Sequence, residues 1–410
     1  VKAIDPMGTA FKMEQYFAEF ESTFAATSFD FLAPLFPWLA EYAIGFSVVM
    51  IVFEILLGVM LLVGIWPKFT AWAFFALVAF FTALTGFTYL TGYVQPGGTF
   101  FAFDTWGAYE TTNMKVTDCG CFGDFLKLEP RTSFLKDVFL LLPALVFVFA
   151  SERMHRLFSP TARLALAAAA LVGSTFYCFS NYVWDIPGQD FRPFKVGVNI
   201  AERKQAEEEA AGAVQVLGYT MTEKATGKVT ELTMAEYLKQ YKDYPKEEFE
   251  IVQIKTEPTI AATKITDFEL SDAEGNDVTY DLLSEPGFTF VVVAYKLKGT
   301  EAAGTYQWSE DYLDKWREDL LPVLAQAAEA GHQVRVLTAY SDYERLNDFE
   351  SALGVDYPVY TGDDIMLKTI IRSNPGLLLM SNGTILEKWH FRQLPDFRFI
   401  ENNYRLAAGM

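Results

Sequence analysis

The chain has 410 residues, 51% of them hydrophobic and 21% charged, with a mean hydropathy of +0.15. A formal charge of −19 and a pI near 4.6 exclude nucleic acid as the natural partner, because a phosphate backbone demands a basic face. Three cysteines are too few for a disulfide scaffold. The averages hide two populations: residues 1–184 are apolar and aromatic with charge confined to short segments, and the remainder reads as a soluble chain.

The chain opens Val1-Lys2-Ala3-Ile4-Asp5-Pro6, with neither an initiator methionine nor a signal-peptide pattern, so a preceding segment is expected. Residues 44–66 and 70–92 are each apolar for about the ~20 residues that cross a bilayer. Residues 134–151 lie at the short end of that range, and 162–184 form a fourth run ending in Tyr182 and Trp184, suited to the membrane–water interface. A buried helix of a soluble protein is the alternative for any one run, but four in succession point to a membrane bundle.

The loops give a direction. Lys68 follows the first run, and Arg153, His155, Arg156 and Arg163 surround the start of the fourth; Lys and Arg collect on the cytoplasmic side. Residues 1–43, the 93–133 loop and everything after 185 are then expected outside, periplasmic in a bacterium whose inner membrane holds the bundle. A chain beginning in the cytoplasm would need a fifth helix before Val1.

On the outer face lies Asp118-Cys119-Gly120-Cys121-Phe122-Gly123-Asp124. A disulfide between Cys119 and Cys121 would close a very small ring, where the preferred dihedral of about 85–100° is hard to reach, so it would be readily reduced and suited to exchange. A structural disulfide, or thiols packed as small hydrophobes, stands as the alternative. Metal binding is disfavoured, since His155, His332 and His390 are distant in sequence, and no metal site is expected. Cys178 lies near the outer end of its run and is a candidate third thiol. Glu54 sits in the middle of an apolar span, which makes it a candidate proton relay or quinone contact; a helix–helix hydrogen bond is the plainer reading.

The hydrophobic half resembles the DoxX/MauE group of membrane proteins. The resemblance is carried by VKAIDPMG, Glu54 within FEILLG, the DCGCFGD loop, and SFLKDV at 133–138. It implies a helix ending just before Lys2, a MauE-like link to disulfide formation in redox-enzyme maturation, and a DoxX-like link to quinone-coupled oxidation.

After the last run, 201–212 reads as a charged helical connector. Short strands at 213–220, 228–232 and 249–255 surround a helix at 234–242. The alternation then predicts strand 264–270, a Gly-Asn turn and a second strand through 279, and strand 288–295. Helix 308–330 is predicted with a kink or break at Pro322. Strand 333–339, helix 341–353 with a Ser341/Glu344 capping box, strand 357–361, helix 363–372, strands 376–381 and 384–390 and helix 396–408 complete it. The order resembles a thioredoxin-like domain of the TlpA type over about 260–410, and the resemblance implies that Pro375, in Asn374-Pro375-Gly376, is a cis-proline. The Cys-x-x-Cys that such domains carry is missing from KLKGTEAAG at 296–304, and without a thiolate there is no exchange.

The expected architecture is therefore a membrane α-helical bundle at 1–184, a linker and small α/β lead-in at 185–260, and a redox-inactive thioredoxin-like domain at 261–410. Its expected function is thiol–disulfide exchange at Cys119 and Cys121, with a quinone as electron acceptor. The alternative is a non-catalytic accessory or scaffold subunit of a larger membrane or envelope complex. It would dock a periplasmic protein partner around Asn374, Pro375 and Gly376.

Overall fold

The computed structural model describes residues 1–405 apart from 26, 115, 117–119, 121–122, 127 and 303–304. The chain divides into two compact units, Val1–Arg192 and Pro193–Met410.

The first unit is helical. Asp5 accepts a hydrogen bond from the Gly8 amide at 2.9 Å, and Pro6 begins α1 (Pro6–Ala25); a carboxylate cap followed by proline at the first helical position is a strong helix start. A short α2 (Leu35–Glu41) leads into α3 (Ala43–Val63). Gly64, with φ +74°, ends α3, and Pro67 starts α4 (Pro67–Thr91). Pro130 starts α5 (Pro130–Phe149), and Ser159 caps α6 (Pro160–Phe179) by accepting from the Ala162 amide at 3.2 Å. A π-helical turn, Ser180–Trp184, extends α6.

Helices α3, α4, α5 and α6 with its extension are long and apolar enough to cross a membrane, and they coincide with the four expected runs. Their outward faces are apolar, as at Val49, Leu62, Trp72, Leu142, Phe149 and Val172. Such a surface is stable only against lipid, so this is a membrane protein. The α3–α4 and α5–α6 turns share one end of the bundle: Arg163 donates to the Gly64 carbonyl at 2.7 Å, His155 bonds the Leu62 carbonyl at 2.7 Å, and Lys68 pairs with Glu152 at 2.9 Å. Helix α1 was not anticipated by the sequence. It is fixed to α3 by Ser47 donating to the Pro6 carbonyl at 2.7 Å, and to α4 by Tyr16 and Thr88 at 2.9 Å.

The second unit is a mixed α/β structure. Helix α7 (Ile200–Gly212) precedes an antiparallel sheet of order β2-β1-β3, made of β1 (Val216–Glu223), β2 (Val229–Thr233) and β3 (Phe249–Lys255), with α8 (Met234–Gln240) between the last two. A six-stranded sheet follows, with β4 (Leu270–Ser271), β5 (Thr289–Val293), β8 (Gln333–Thr338), β9 (Val359–Gly362), β10 (Gly376–Ser381) and β11 (Thr384–His390), ordered β11-β10-β5-β8-β9-β4. The β5, β8 and β9 strands run parallel, while β10 and β11 are antiparallel. Every residue of β5 is buried, as its unbroken apolar run requires of a central strand. Phe290, Val292, Trp316, Leu324, Leu377 and Leu379 join one core.

The remaining elements are α9 (Thr279–Leu283), the hairpin β6 (Gly299–Ala302) and β7 (Thr305–Trp308), α10 (Glu310–Asp314), α11 (Leu321–Glu329), α12 (Tyr343–Leu353), α13 (Asp364–Ile370) and α14 (Phe397–Tyr404).

Three expectations are corrected. Residues 264–270 are not a strand except at Leu270, because Glu207 and Lys204 of α7 take the polar groups of 263–266 that a ladder would have used. The strand expected through 279 is only a Ser271–Asp277 bridge, after which the chain turns into α9. Helix α12 is capped by Asp342, which accepts from the Arg345 amide at 3.3 Å, and not by Ser341. The break foreseen at Pro322 is a π-helical turn, Lys315–Leu320, that joins α10 to α11 and leaves Pro322 in the first turn of α11.

Candidate functional site

Lys2 sits in the turn before α1, which the Ile4 amide closes on the Val1 carbonyl at 2.9 Å. Its ammonium contacts both oxygens of Glu54, midway along α3, at 2.7 and 3.0 Å. It also lies 4.7 Å above the ring of Phe81 on α4. The side chains are 14% and 24% exposed. An intramembrane carboxylate is costly unless paired, and this geometry provides the pair. The sequence marks Glu54 as an acid within an apolar span; that Lys2 pairs with it is shown by the structure.

Sequence reasoning missed a second acid. Asp137 of α5 is buried, accepts from Thr85 of α4 at 3.0 Å, and is paired with Lys136. Asp137 lies inside the SFLKDV stretch, which entered the sequence analysis only as part of the family resemblance. Its helix approaches α4 closely, since a Cβ on Gly86 would come within 2.9 Å of the Phe134 ring.

Two cavities meet at Lys2 and Phe81, which line both. The inner one, about 280 Å³, is bordered by Lys2, Glu54, Lys136 and Asp137 among aliphatic and aromatic groups. The outer one, about 380 Å³, is strongly apolar, with Phe20, Phe36, Phe46 and Phe81 in its wall. Lys2, Lys12, Thr9 and Tyr16 bring polar groups to its wall, and among the described residues the Thr9 hydroxyl is buried without a hydrogen-bond partner. Gly120 also lines this outer cavity. It has φ +61°, and a Cβ there would lie 2.7 Å from Cγ of Lys12 on α1. Both the left-handed backbone and the close approach require glycine.

Cys119 and Cys121 lie outside the described residues. Cys178, on α6, is fully buried in a cluster with Ala3, Val48, Ile51 and Val52, and among the described residues it has no disulfide partner. Its surroundings are those of a packed hydrophobe. Among the described residues, no three or more His, Cys, Asp or Glu side chains gather as metal ligands would.

In the second unit the Asn374–Pro375 bond is cis. Asn374 ties this turn to the strand exit at Lys296, donating to its carbonyl at 2.6 Å and accepting from its amide at 3.3 Å. Gly376 opens β10, where a Cβ would meet the Ile371 side chain at 2.7 Å. The cysteine-free segment that begins at Lys296 runs into the β6–β7 hairpin, in which Gly299–Ala302 pairs with Thr305–Trp308. Cations gather beside it. Burial, and then nearby Lys296, lowers the Lys298 ammonium below the ordinary lysine range. Lys315 is lowered by burial, then by Lys298 and Arg392, against the opposing pull of Asp311 and Asp319. Lys315 and Arg392 each lie 5.0 Å from the Phe391 ring.

The family model for the methylamine utilisation protein MauE matches residues 17–101, which spans the C-terminal part of α1, all of α2 to α4, and the start of the loop that follows. No curated protein matches the chain.

Proposed function

We propose that this is a membrane-bound thiol–disulfide redox protein whose exchanging pair is Cys119 and Cys121. The observation that carries the reading is the apolar outer cavity reaching Gly120, the residue between the two cysteines in the chain. The MauE match over the α1–α4 region supports it, and the DoxX side of the resemblance contributes the quinone. The cavity suits a quinone ring. Its walls are aromatic, Lys2 and Lys12 can donate to a ring oxygen, and the Thr9 hydroxyl lacks a partner among the described residues. A bound quinone would supply a two-electron, two-proton acceptor.

The chain's own residues do the rest. A partner's thiolate attacks the Cys119–Cys121 disulfide, whose S–S bond breaks as a mixed disulfide forms. The partner's second thiol closes the partner's own disulfide and leaves both loop thiols reduced, and the loop disulfide re-forms when their two electrons and two protons are passed on. The charge bias of the α3–α4 and α5–α6 turns supports a bacterial inner-membrane location with the loop and second unit periplasmic. We read the second unit as thioredoxin-like, on its sheet order and on the Asn374-Pro375-Gly376 turn that opens β10. With no cysteine after Cys178, it would dock a protein partner rather than exchange electrons.

That lack of cysteine also favours the second reading, an accessory subunit of a larger complex. Trapping thiols with a maleimide in cells, with and without prior reduction, separates the two. Redox function predicts interconverting states of Cys119 and Cys121, a mixed disulfide in the Cys121→Ser variant, and copurifying quinone. A permanently bonded pair, with Cys119→Ser leaving the downstream pathway unchanged, refutes it; a stable stoichiometric complex would then establish the subunit.

A further inference from the structure

We infer that the inner cavity is a hydrated acid–base site within the bilayer, with Asp137 as a second proton-handling carboxylate serving the outer cavity through Lys2. This deepens the proposed redox function and rests on it. The pairs Lys2–Glu54 and Lys136–Asp137 both line one cavity of about 280 Å³, room for about nine waters at ~30 Å³ each. Four ionisable groups in hydrocarbon are stable only if paired and solvated, and a proton-handling role accounts for both pairs sharing one space. The Thr85 hydroxyl lies 3.0 Å from the Asp137 carboxylate and 2.8 Å from the Phe81 carbonyl, its one proton shared between the two acceptors. Phe81 and Lys2 form the waist between the cavities.

The balance is as follows. Oxidising the Cys119 and Cys121 thiols to a disulfide forms one S–S bond and releases two electrons and two protons. Both electrons go to the quinone-class acceptor, and the two sulfur protons go to outside water. The acceptor's oxygens take up two protons. At the waist the Lys2 ammonium donates one, becoming an amine. Bulk water in contact with the cavity supplies both protons. Each enters as hydronium, protonates the Asp137 carboxylate and passes through cavity water to the Lys2 amine, so that the ammonium is restored for each delivery and Asp137 returns to its carboxylate.

Two measurements on the full chain in nanodiscs test this. In a variant with all three native cysteines replaced, Leu140→Cys on the cavity wall is compared with Leu142→Cys on the exposed side of the same helix. A small charged methanethiosulfonate should label position 140 about tenfold faster, as water access requires. Equal, slow labelling overturns the hydrated cavity, whether or not the protein turns over. In the native-cysteine protein, Asp137→Asn should slow reduction of a short-chain quinone by about a hundredfold, the scale of a general acid–base group, and change its solvent isotope effect. Quinone binding, read by tryptophan quenching, should be unchanged. An unaltered rate and isotope effect overturn the role of Asp137. A parent protein that reduces no quinone refutes the redox reading itself, and the labelling result then stands by itself.

Discussion

The Lys2–Glu54 pair shows how one residue can decide whether a polar group is tolerable in lipid. Glu54 is half-buried midway along a span, and among the described residues its carboxylate is paired with the Lys2 ammonium. Lys2→Met would strand that carboxylate, and removing one partner of a buried pair costs about 3 kcal/mol or more. Thermal unfolding in detergent should show a clear fall for Lys2→Met, and much of it should be recovered in Lys2→Met with Glu54→Gln. Additive losses would mean that the two groups are energetically independent. Gly120 makes a local case. Its φ of +61° and the 2.7 Å approach to Lys12 predict that Gly120→Ala displaces the loop at a cost of about 1–2 kcal/mol. Global unfolding should change little while the maleimide reactivity of Cys119 and Cys121 changes severalfold; identical reactivity would show that the loop does not rest on α1.

At the scale of elements, α7 holds the segment 263–268 in place. Glu207 is buried and accepts from Arg203 at 2.7 Å, from the Thr263 amide at 2.8 Å and hydroxyl at 2.9 Å, and from the Thr266 hydroxyl at 2.7 Å. Burial opposes its charge, but the Thr266, Thr263 and Arg203 hydrogen bonds prevail and hold its pKa below the usual 4.5. A depressed carboxylate pKa stabilises the fold above the unfolded value and loses that contribution as pH falls through the folded one. Amide-exchange protection of 263–270 should therefore decline on acidification below about pH 4.5. In Glu207→Gln it should be lower at neutral pH, by about 2 kcal/mol for charged hydrogen bonds lost, and insensitive to pH there. The same contacts explain a failure of sequence reading. KITDFEL alternates like a strand, yet its polar groups are taken by a distant helix, which no local pattern records. The four spans were legible because bilayer crossing is decided by local apolar length. Helix α1 was not, because its apolar and polar residues are interleaved for several neighbours at once. Asp137 was passed over because the stretch that holds it counted only toward the family resemblance, and strands β10 and β11 were legible to the residue because the Asn382-Gly383 turn separates a fully buried apolar run from a half-buried one.

For the whole molecule, the division of labour follows from composition. All three cysteines precede Pro193, so any thiol chemistry belongs to the helical unit, and the α/β unit contributes surfaces. The membrane direction then decides which compartment each sees. Residues 64–68 and 151–156 cluster at one bundle end through the Arg163, His155 and Lys68 contacts, and four crossings return the chain to the side it started from. In a variant whose native cysteines are replaced, a lone cysteine at Arg153 or at Lys228, both exposed, reports those compartments separately. In intact spheroplasts an impermeant maleimide should label Lys228→Cys at once and Arg153→Cys only after lysis, as the bias of Lys and Arg toward the cytoplasm requires. The reversed pattern would put the loop of Cys119 and Cys121 in the reducing cytosol, where a readily reduced disulfide could not persist, and oxidative exchange there would fail.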